Sequence, residues 1–375
     1  MNNRWWSGGE KENYLLSLGL VMACLAGLVH ALTVSDFPDL TNVYIPLAND
    51  LKEFQFNGLA IRRLSYILVL VLTEMVLPVT YFQAALLINV ASVLGTAGLL
   101  FYYLKQREIT TRYCKLAVVG FMATSTVHMK LFYPIIDTWA MLCIFGAYVS
   151  YNYFRESQNI AFLPLSYLLF YLSIFSREPL ISAFLLFIPE LRSRQGKIWL
   201  AFLLFPIVVL FFLTQILFPN FVLSDTPYRL PDWGNLFDLA WLTYSLDVFG
   251  HYYFSPNRLV TLVTSLGFSL LPWFLALMVL RGSEMSDDNI SVPALEDKLI
   301  IGWILLFIVM FVLFWPGPFD GRYWLPTLPF IISVVVDKLF KEQRLGKPLI
   351  KVFCIFLLVI SYLTTLCRFI VRFLL

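Results

Sequence analysis

Apolar runs long enough, or nearly long enough, to cross a lipid bilayer recur along almost the whole chain. A spanning helix needs about 20 mostly apolar residues. Hydrophobic residues make up 59% of the 375 positions and charged residues only 14%, whereas a soluble domain carries about 25% charged residues. A water-soluble fold of this size cannot hide so much apolar surface. The sequence therefore predicts an all-α, polytopic integral membrane protein, and it excludes soluble enzymes, disordered proteins and nucleic-acid binders.

The predicted spans form a single transmembrane domain over residues 1–375, with no obvious soluble domain or repeat. Eleven runs qualify or nearly qualify as spans, which are Tyr14–Leu32, Tyr81–Leu104, Leu116–Tyr133, Thr138–Phe154, Ile160–Phe175, Pro179–Leu191, Ile198–Leu217, Leu259–Leu280, Leu299–Phe314, Tyr323–Val336 and Leu349–Leu366.

A twelfth run, Leu64–Val79, decides the orientation of everything after it. If it does not cross and the N-terminus is cytoplasmic, 17 of the 27 Lys and Arg residues lie inside and 10 outside. If it crosses, the same count over those 27 residues gives 9 inside and 18 outside. Cytoplasmic loops are enriched in Lys and Arg, and a central span tolerates an acid such as Glu74 poorly. We therefore expect Leu64–Val79 to be a juxtamembrane or re-entrant helix on the outer side.

Two outer loops are long enough to hold structure of their own. The first covers residues 33–81 and contains the amphipathic stretch Tyr44–Phe54 beside Leu64–Val79. The fourth covers residues 219–258, where Leu236–Phe249 mixes apolar residues with two acids and is typical of a helix lying in the membrane interface. We expect juxtamembrane helices in both loops.

Carboxylates stand where the chain meets the predicted outer face. Asp36 and Asp39 directly follow the first span, and Asp137 opens the fourth. A carboxyl group half-buried at the membrane edge can have its pKa raised toward neutrality and act as a general base. Each acid also has a simpler interpretation as a helix cap, or as an acid beside the positive end of a helix dipole.

Cations also collect at this face. Arg177 and Glu178 form a hinge between two apolar runs, Arg322 and Tyr323 precede the tenth span, and Lys130 lies in the short second loop. Arginine binds phosphate through paired hydrogen bonds. The hinge could instead be a turn paired with itself, and Tyr323 also suits an interfacial aromatic belt.

The interiors of the predicted spans are nearly free of charge. Pumps and channels usually carry ionisable residues along their path. Charged candidates gathered at one face are typical of an enzyme that acts at the membrane surface on a lipid-anchored substrate.

The order of these features resembles the GT-C superfamily of polytopic glycosyltransferases, which includes the protein O-mannosyltransferases and the bacterial aminoarabinose transferases of lipid A. The likeness rests on an acidic first outer loop with juxtamembrane helices and on a second outer acid at the fourth span. It also rests on a basic turn and a late RY-x-x-P-type segment. The matching residues are Pro38-Asp39 with Tyr44 and Ala48, then Asp137, Arg177-Glu178-Pro179 and Gly321-Arg322-Tyr323 with Pro326 and Pro329.

The resemblance implies inverting transfer of a sugar from a polyprenyl-phosphate-linked donor to a glycan, lipid or protein acceptor. Asp39 would be the general base or would position the acceptor hydroxyl, with Asp36 the less favoured base. Asp137 would hold the acceptor or a divalent metal, to which Asp36, Asp39 and Asp137 could all supply oxygen ligands. Arg177 and Arg322 would stabilise the departing phosphate. The expected location is the bacterial inner membrane, with the active face outward.

Other functions stay open on the sequence alone. A polysaccharide polymerase or ligase would use the same outer arginines on a lipid-linked glycan, and a flippase would need a polar central path. The family's usual Asp-Glu pair is missing because Leu40 follows Asp39. A non-catalytic assembly subunit is therefore a further alternative.

Overall fold

The computed structural model describes residues 17–18, 20–28, 37–55, 63–192, 298–307 and 321–341. This part of the chain is helical, and no β-strand occurs in it. Residues 17–18 and 20–28 are helical. The helices after them are α1 (Ile45–Lys52), α2 (Leu64–Val76), α3 (Tyr81–Gln106), α4 (Thr111–Ala123), α5 (Ser125–Leu131), α6 (Ile136–Ser157), α7 (Phe162–Ile174), α8 (Lys298–Phe307) and α9 (Leu328–Lys341).

Within the described residues, α3 is the one helix that is both long and apolar enough to cross a bilayer. Its 26 residues extend about 39 Å at 1.5 Å per residue, which exceeds the roughly 30 Å hydrocarbon core. It begins at a capping box, in which the Thr80 side chain accepts from the Gln83 backbone N–H and the Gln83 side chain accepts from that of Thr80. The observed helix coincides closely with the predicted span Tyr81–Leu104.

Helix α2 covers most of the run whose crossing was in question. Its 13 residues extend about 20 Å, so it is much shorter than the hydrocarbon core. It ends at Leu77, whose backbone is extended, because a residue before a proline disfavours helical geometry. Four of its apolar side chains are exposed and lie along one stripe, namely Leu68, Leu72, Met75 and Val76.

Helix α1 packs beside α2 through one ion pair. The Lys52 ammonium lies 2.7 Å from the Glu74 carboxylate and 4.9 Å from the centre of the Tyr81 ring. Glu74, which argued against a central span, is therefore paired with a residue of the first predicted outer loop. A π-helical turn, Leu40–Tyr44, precedes α1. Pro46 lies in the first turn of α1, where the missing backbone N–H of proline is tolerated.

The prediction of one continuous helix over Leu116–Tyr133 is wrong. The structure divides this region into α4 and α5 at Thr124, whose backbone is extended (φ −61°, ψ 128°). The Thr124 hydroxyl donates to the Gly120 carbonyl at 2.8 Å. Threonine side chains compete in this way with helical backbone bonds, and apolar periodicity does not reveal the break.

Two other predicted spans contain 3₁₀ helix. Glu178–Arg192 is 3₁₀ helix throughout, and Gly321–Thr327 precedes α9 as a shorter 3₁₀ segment containing Pro326. A 3₁₀ helix rises about 2.0 Å per residue, so the 15 residues of the first extend about 30 Å. That length is comparable to the hydrocarbon core, although the segment is too short to cross it as an α-helix.

The described helices pack around two apolar clusters. The larger one joins α3, α4, α6, α7, α8 and α9, and its centre is the Phe330 ring, which lies 4.6 Å from Trp303 and 5.1 Å from Phe145. The smaller one holds the π-turn and α1 against α2, the start of α3 and Ile136. The smaller cluster therefore brings the first predicted outer loop to the beginning of α6.

Several predictions fall on residues that the structure does not describe. These are the spans Ile198–Leu217, Leu259–Leu280 and Leu349–Leu366, and the outer loop 219–258.

Candidate functional site

A buried ion pair between Asp137 and Arg177 is the centre of the site. The Arg177 Nε donates to Asp137 Oδ1 at 2.7 Å and its Nη2 donates to Oδ2 at 2.8 Å. The side chain of Asp137 is only 1% exposed and that of Arg177 only 7%. Paired hydrogen bonds between guanidinium and carboxylate are among the strongest that proteins make. The pair thus fixes the start of α6 to the end of α7.

Local sequence explains why each partner stands at a helix end. Pro134 lies outside helical structure and Ile135 is extended (φ −142°, ψ 147°), so α6 begins at Ile136 and Asp137 lies in its first turn. Helix α7 ends at Ile174, and Pro179 soon follows. Because proline cannot continue an α-helix, the hinge that carries Arg177 forms between the two.

A second buried arginine supports this hinge from α2. Arg63, 4% exposed, donates from Nη1 to the Ser176 carbonyl at 2.9 Å. Two residues after Arg63, the Ser65 hydroxyl accepts a hydrogen bond from Trp139 Nε1 at 2.8 Å. The start of α2 therefore holds both the residue before Arg177 and the first turn of α6.

Four charged groups act on the pKa of Tyr44. Burial raises the pKa of Tyr44 to about 12, the charges of Arg177 and Arg63 lower it, and those of Asp39 and Asp137 raise it. All four charges are therefore close enough to act on one phenol. Asp39 is half-buried, whereas Asp137 is sealed inside.

Tyr66 adds a hydroxyl that has no hydrogen-bond partner among the described residues. Its side chain is fully buried, its hydroxyl is unpaired, and its ring meets that of Tyr44 edge-on at 5.2 Å. Burial raises the pKa of Tyr66, and the neighbouring Tyr44 and Asp137 raise it further. The hydroxyl therefore stays protonated at neutral pH, and it is buried beside the acid of the ion pair. We call Asp39, Tyr44, Arg63, Tyr66, Asp137 and Arg177 the acid–arginine cluster.

Asn89 on α3 holds the loop that leads to Asp137. Its Nδ2 donates to the carbonyls of Lys130 and Leu131, the latter at 2.7 Å. Its Oδ1 accepts from the Thr138 hydroxyl and from the Ile135 backbone N–H. The Leu131 and Lys130 carbonyls belong to the last turn of α5, where backbone groups lack helical partners. One amide thus joins the end of α5 to the start of α6.

The structure tests whether Asp137 and Asp39 cap helices and whether the hinge of Arg177 is paired with itself. Ile135, not Asp137, occupies the position before α6, so Asp137 is no N-cap, although it does lie near the positive end of the helix dipole. Asp39 occupies the position before the π-turn, but its side chain makes no capping hydrogen bond there. Arg177 pairs with Asp137 on α6. A hinge paired only with itself would instead keep Arg177 within its own turn.

The remaining predicted site residues divide into two sets. Lys130 lies with its ammonium 4.1 Å from the centre of the Tyr133 ring, and Tyr133 in turn contacts Phe37 at 5.0 Å. Asp36 and the side chains of Glu178, Arg322 and Tyr323 lie outside the described residues.

The described residues do not fit a divalent-metal site at Asp137. Both of its oxygens accept hydrogen bonds from Arg177. Within the described ranges, no group of three or more His, Cys, Asp or Glu side chains is close enough together to hold a metal ion. An ion at Asp137 would have to displace a buried guanidinium from both carboxylate oxygens, which is costly.

Comparison with family models, curated proteins and solved structures gives no match to this chain. The fold and site thus define a helical protein with a candidate membrane span and a buried acid–arginine cluster. The likeness to the GT-C superfamily remains a prediction that rests on the residues quoted for it.

Sequence reasoning missed three contributors to the site. Arg63, Tyr66 and Asn89 act through partners 41 to 113 residues away or through their burial. One signal was present, because Asn89 is an amide in the middle of an apolar run. A polar side chain there needs a partner, since leaving it unpaired is costly.

Proposed function

We propose that the chain is a polytopic integral-membrane glycosyltransferase. It would move a sugar from a polyprenyl-phosphate-linked donor to an acceptor hydroxyl at the outer face of a bacterial plasma membrane. The observation that carries the proposal is the acid–arginine cluster. In it, Arg177 is paired with buried Asp137 and Arg63 holds the Ser176 carbonyl before Arg177. The charges of these three residues and of Asp39 all act on the pKa of Tyr44, in a chain whose α3 is long and apolar enough to span a bilayer.

The burial of the two acids supports different roles for them. Asp137 offers both oxygens to Arg177 and is sealed from solvent, so taking up a proton there would break a buried pair. Asp39 is half-buried at the edge of the same cluster. A general base must lie within hydrogen-bond reach of the proton that it takes, and Asp39 is the acid that an arriving hydroxyl can approach.

The proposed step is a single displacement with inversion. The acceptor oxygen forms a bond to the anomeric carbon of the donor sugar, and its proton passes to Asp39. The bond between that carbon and the phosphate oxygen breaks, and the electron pair leaves with the polyprenyl phosphate. The resemblance assigned Arg177 to the departing phosphate, but its Nε and Nη2 donate to Asp137, so we propose that Arg177 acts on this step by positioning Asp137. Arg322 remains the candidate for stabilising the departing charge.

The test is a transfer assay in proteoliposomes with labelled polyprenyl-phosphate sugars. Asp39→Asn should reduce sugar release by about 100-fold or more, because a positioned base typically contributes 10²–10⁴. Asp50→Asn is the matched control, since Asp50 lies on α1 of the same segment and is not among the charges that act on Tyr44. This variant should keep native activity.

Two outcomes would contradict the proposal. One is equal activity of native protein and Asp39→Asn, both folded. The other is no consumption of any polyprenyl-phosphate sugar by the native protein, which would favour the polymerase, flippase or assembly-subunit alternatives.

A further inference from the structure

The hydroxyl of Tyr66 is an exception among the polar groups of the acid–arginine cluster. Asp137, Arg177 and Arg63 all make hydrogen bonds there. Tyr66 is fully buried with its hydroxyl unpaired. Buried polar groups are nearly always paired, and an unpaired one is costly. A buried hydroxyl that lacks a hydrogen bond at a candidate site is a candidate for binding a ligand oxygen.

The charges of the cluster indicate what kind of oxygen fits. Arg63 and Arg177 carry two formal positive charges, and Asp39 and Asp137 carry two formal negative charges, so the sum is zero. A phosphate entering beside Tyr66 would bring negative charge next to Asp137 without a new cation to compensate it. Burying an uncompensated charge is strongly unfavourable, whereas a neutral hydroxyl leaves the balance unchanged.

A hydroxyl ligand also matches the donors and acceptors present. A protonated phenol offers an O–H donor, and a carboxylate accepts only. A ligand hydroxyl has one O–H and two lone pairs, so it can accept from Tyr66 and donate to an acid in the same arrangement. The ring of Tyr44 contacts that of Tyr66 edge-on at 5.2 Å, so Tyr66 lies against the residue on whose pKa the charge of Asp39 acts.

We propose that Tyr66 marks the subsite for the acceptor hydroxyl and donates a hydrogen bond to that oxygen. This inference rests on the proposed function for the name "acceptor", but the subsite itself requires only a neutral sugar hydroxyl. It distinguishes the oxygen that Tyr66 binds, a neutral hydroxyl, from the oxygens of the donor phosphate.

The first test observes Tyr66 directly. The full chain in nanodiscs carries 3-fluorotyrosine at position 66 alone, and its ¹⁹F signal is followed while a panel of methyl hexosides and pentosides, and separately inorganic phosphate, is added. We expect a saturable shift with at least one glycoside and none with phosphate. The control has the label at position 148, because Tyr148 is buried and its hydroxyl lies 3.4 Å from that of Tyr103. No response to any glycoside, or a response to phosphate alone, overturns the proposal.

The second test uses Tyr66→Phe in the transfer assay. Because the hydroxyl has no partner in the part of the chain that the structure describes, this variant should keep the native melting temperature or exceed it. The KM for the acceptor should rise about three- to tenfold, which is the value of one hydrogen bond, while the KM for the donor stays unchanged. An unchanged KM for the acceptor in an active enzyme contradicts the subsite and leaves the proposed function standing.

The two tests distinguish the two proposals. If the native chain transfers no sugar but the signal at position 66 responds to a glycoside, the proposed function is wrong and the hydroxyl subsite stands. If transfer is observed but the signal at position 66 responds to no glycoside, the proposed function stands and the hydroxyl subsite is wrong.

Discussion

Both carboxylate oxygens of Asp137 accept hydrogen bonds from Arg177, a residue 40 positions later in the chain. The contact ties the first turn of α6 to the hinge after α7, and it removes Asp137 from contact with solvent. A buried pair of this kind is favourable only while both partners are present. Its removal therefore gives the clearest test of the structure.

Breaking this pair from one side should be costly. We expect Asp137→Ala and Arg177→Met each to destabilise the protein by about 3–5 kcal/mol, because each leaves a buried charge uncompensated. The double variant should lose much less than the sum of the two. The measurement is a double-mutant cycle on unfolding of the purified protein in detergent, and additive single effects would contradict the contact.

Replacing Asn89 should loosen the loop before Asp137. Asn89→Ala removes partners from the Lys130 and Leu131 carbonyls, the Ile135 N–H and the Thr138 hydroxyl. The Lys130 carbonyl keeps the Tyr133 N–H and the Thr138 hydroxyl keeps the Ile135 carbonyl. We expect a loss of about 3 kcal/mol, since the Leu131 carbonyl and the Ile135 N–H each lose the Asn89 partner and an orphaned buried group costs about 1–3 kcal/mol. Ser92→Ala is the control, because the Ser92 hydroxyl donates only to the Ile88 carbonyl of its own helix. Equal losses for both variants would refute the role of Asn89.

Two glycines should respond in opposite directions to alanine. A Cβ at Gly27 would collide with the backbone carbonyl of His128, which cannot move as a side chain tip can, so Gly27→Ala should cost about 1–3 kcal/mol. A Cβ at Gly98 meets nothing within 4 Å. Gly98→Ala lies inside α3 and should stabilise the protein by about 0.5–1 kcal/mol. Thermal unfolding of both variants measures the difference, and a stabilising Gly27→Ala would show that the N-terminal helix does not pack on α5.

The exposed pair of Lys52 and Glu74 should contribute little and depend on salt. We expect the coupling energy to be below about 1 kcal/mol and to fall as ionic strength rises. A double-mutant cycle with Lys52→Met and Glu74→Gln, repeated at low and high salt, measures it. A large coupling that is insensitive to salt would show that the pair is buried in the working protein.

The same pair predicts a flat pH dependence at neutral pH. The hydrogen bond to Glu74 raises the pKa of Lys52 above its ordinary value of 10.5. The stabilisation by the protonated lysine is therefore complete below pH 10.5 and is lost only as pH rises through the higher value in the folded state. The stability difference between native protein and Glu74→Gln should be the same at pH 7 and pH 9. A difference that changes within that window would assign the interaction to another titrating group.

Much of the site's location could be predicted because charged residues at the ends of apolar runs are visible in the sequence. Asp137 and Arg177 were selected on that basis, as was Asp39, and α3 follows its apolar run nearly residue for residue. Their pairing could not be predicted, since it depends on which faces α6 and α7 present to each other. The break at Thr124 was missed because a side chain that bonds its own backbone leaves the apolar pattern unchanged.

The hydrogen bond from Arg63 to the Ser176 carbonyl has a mechanical consequence. Arg63 stands immediately before α2, whose opposite stripe of Leu68, Leu72, Met75 and Val76 is exposed. If the protein lies in a membrane as proposed, this stripe contacts lipid, and Arg63 donates its hydrogen bond to the residue before Arg177. A helix that lies at the interface shifts as the bilayer thins or thickens. A change in the surrounding lipid would then alter the alignment of Arg177 with Asp137. The geometry of the site would therefore depend on membrane composition.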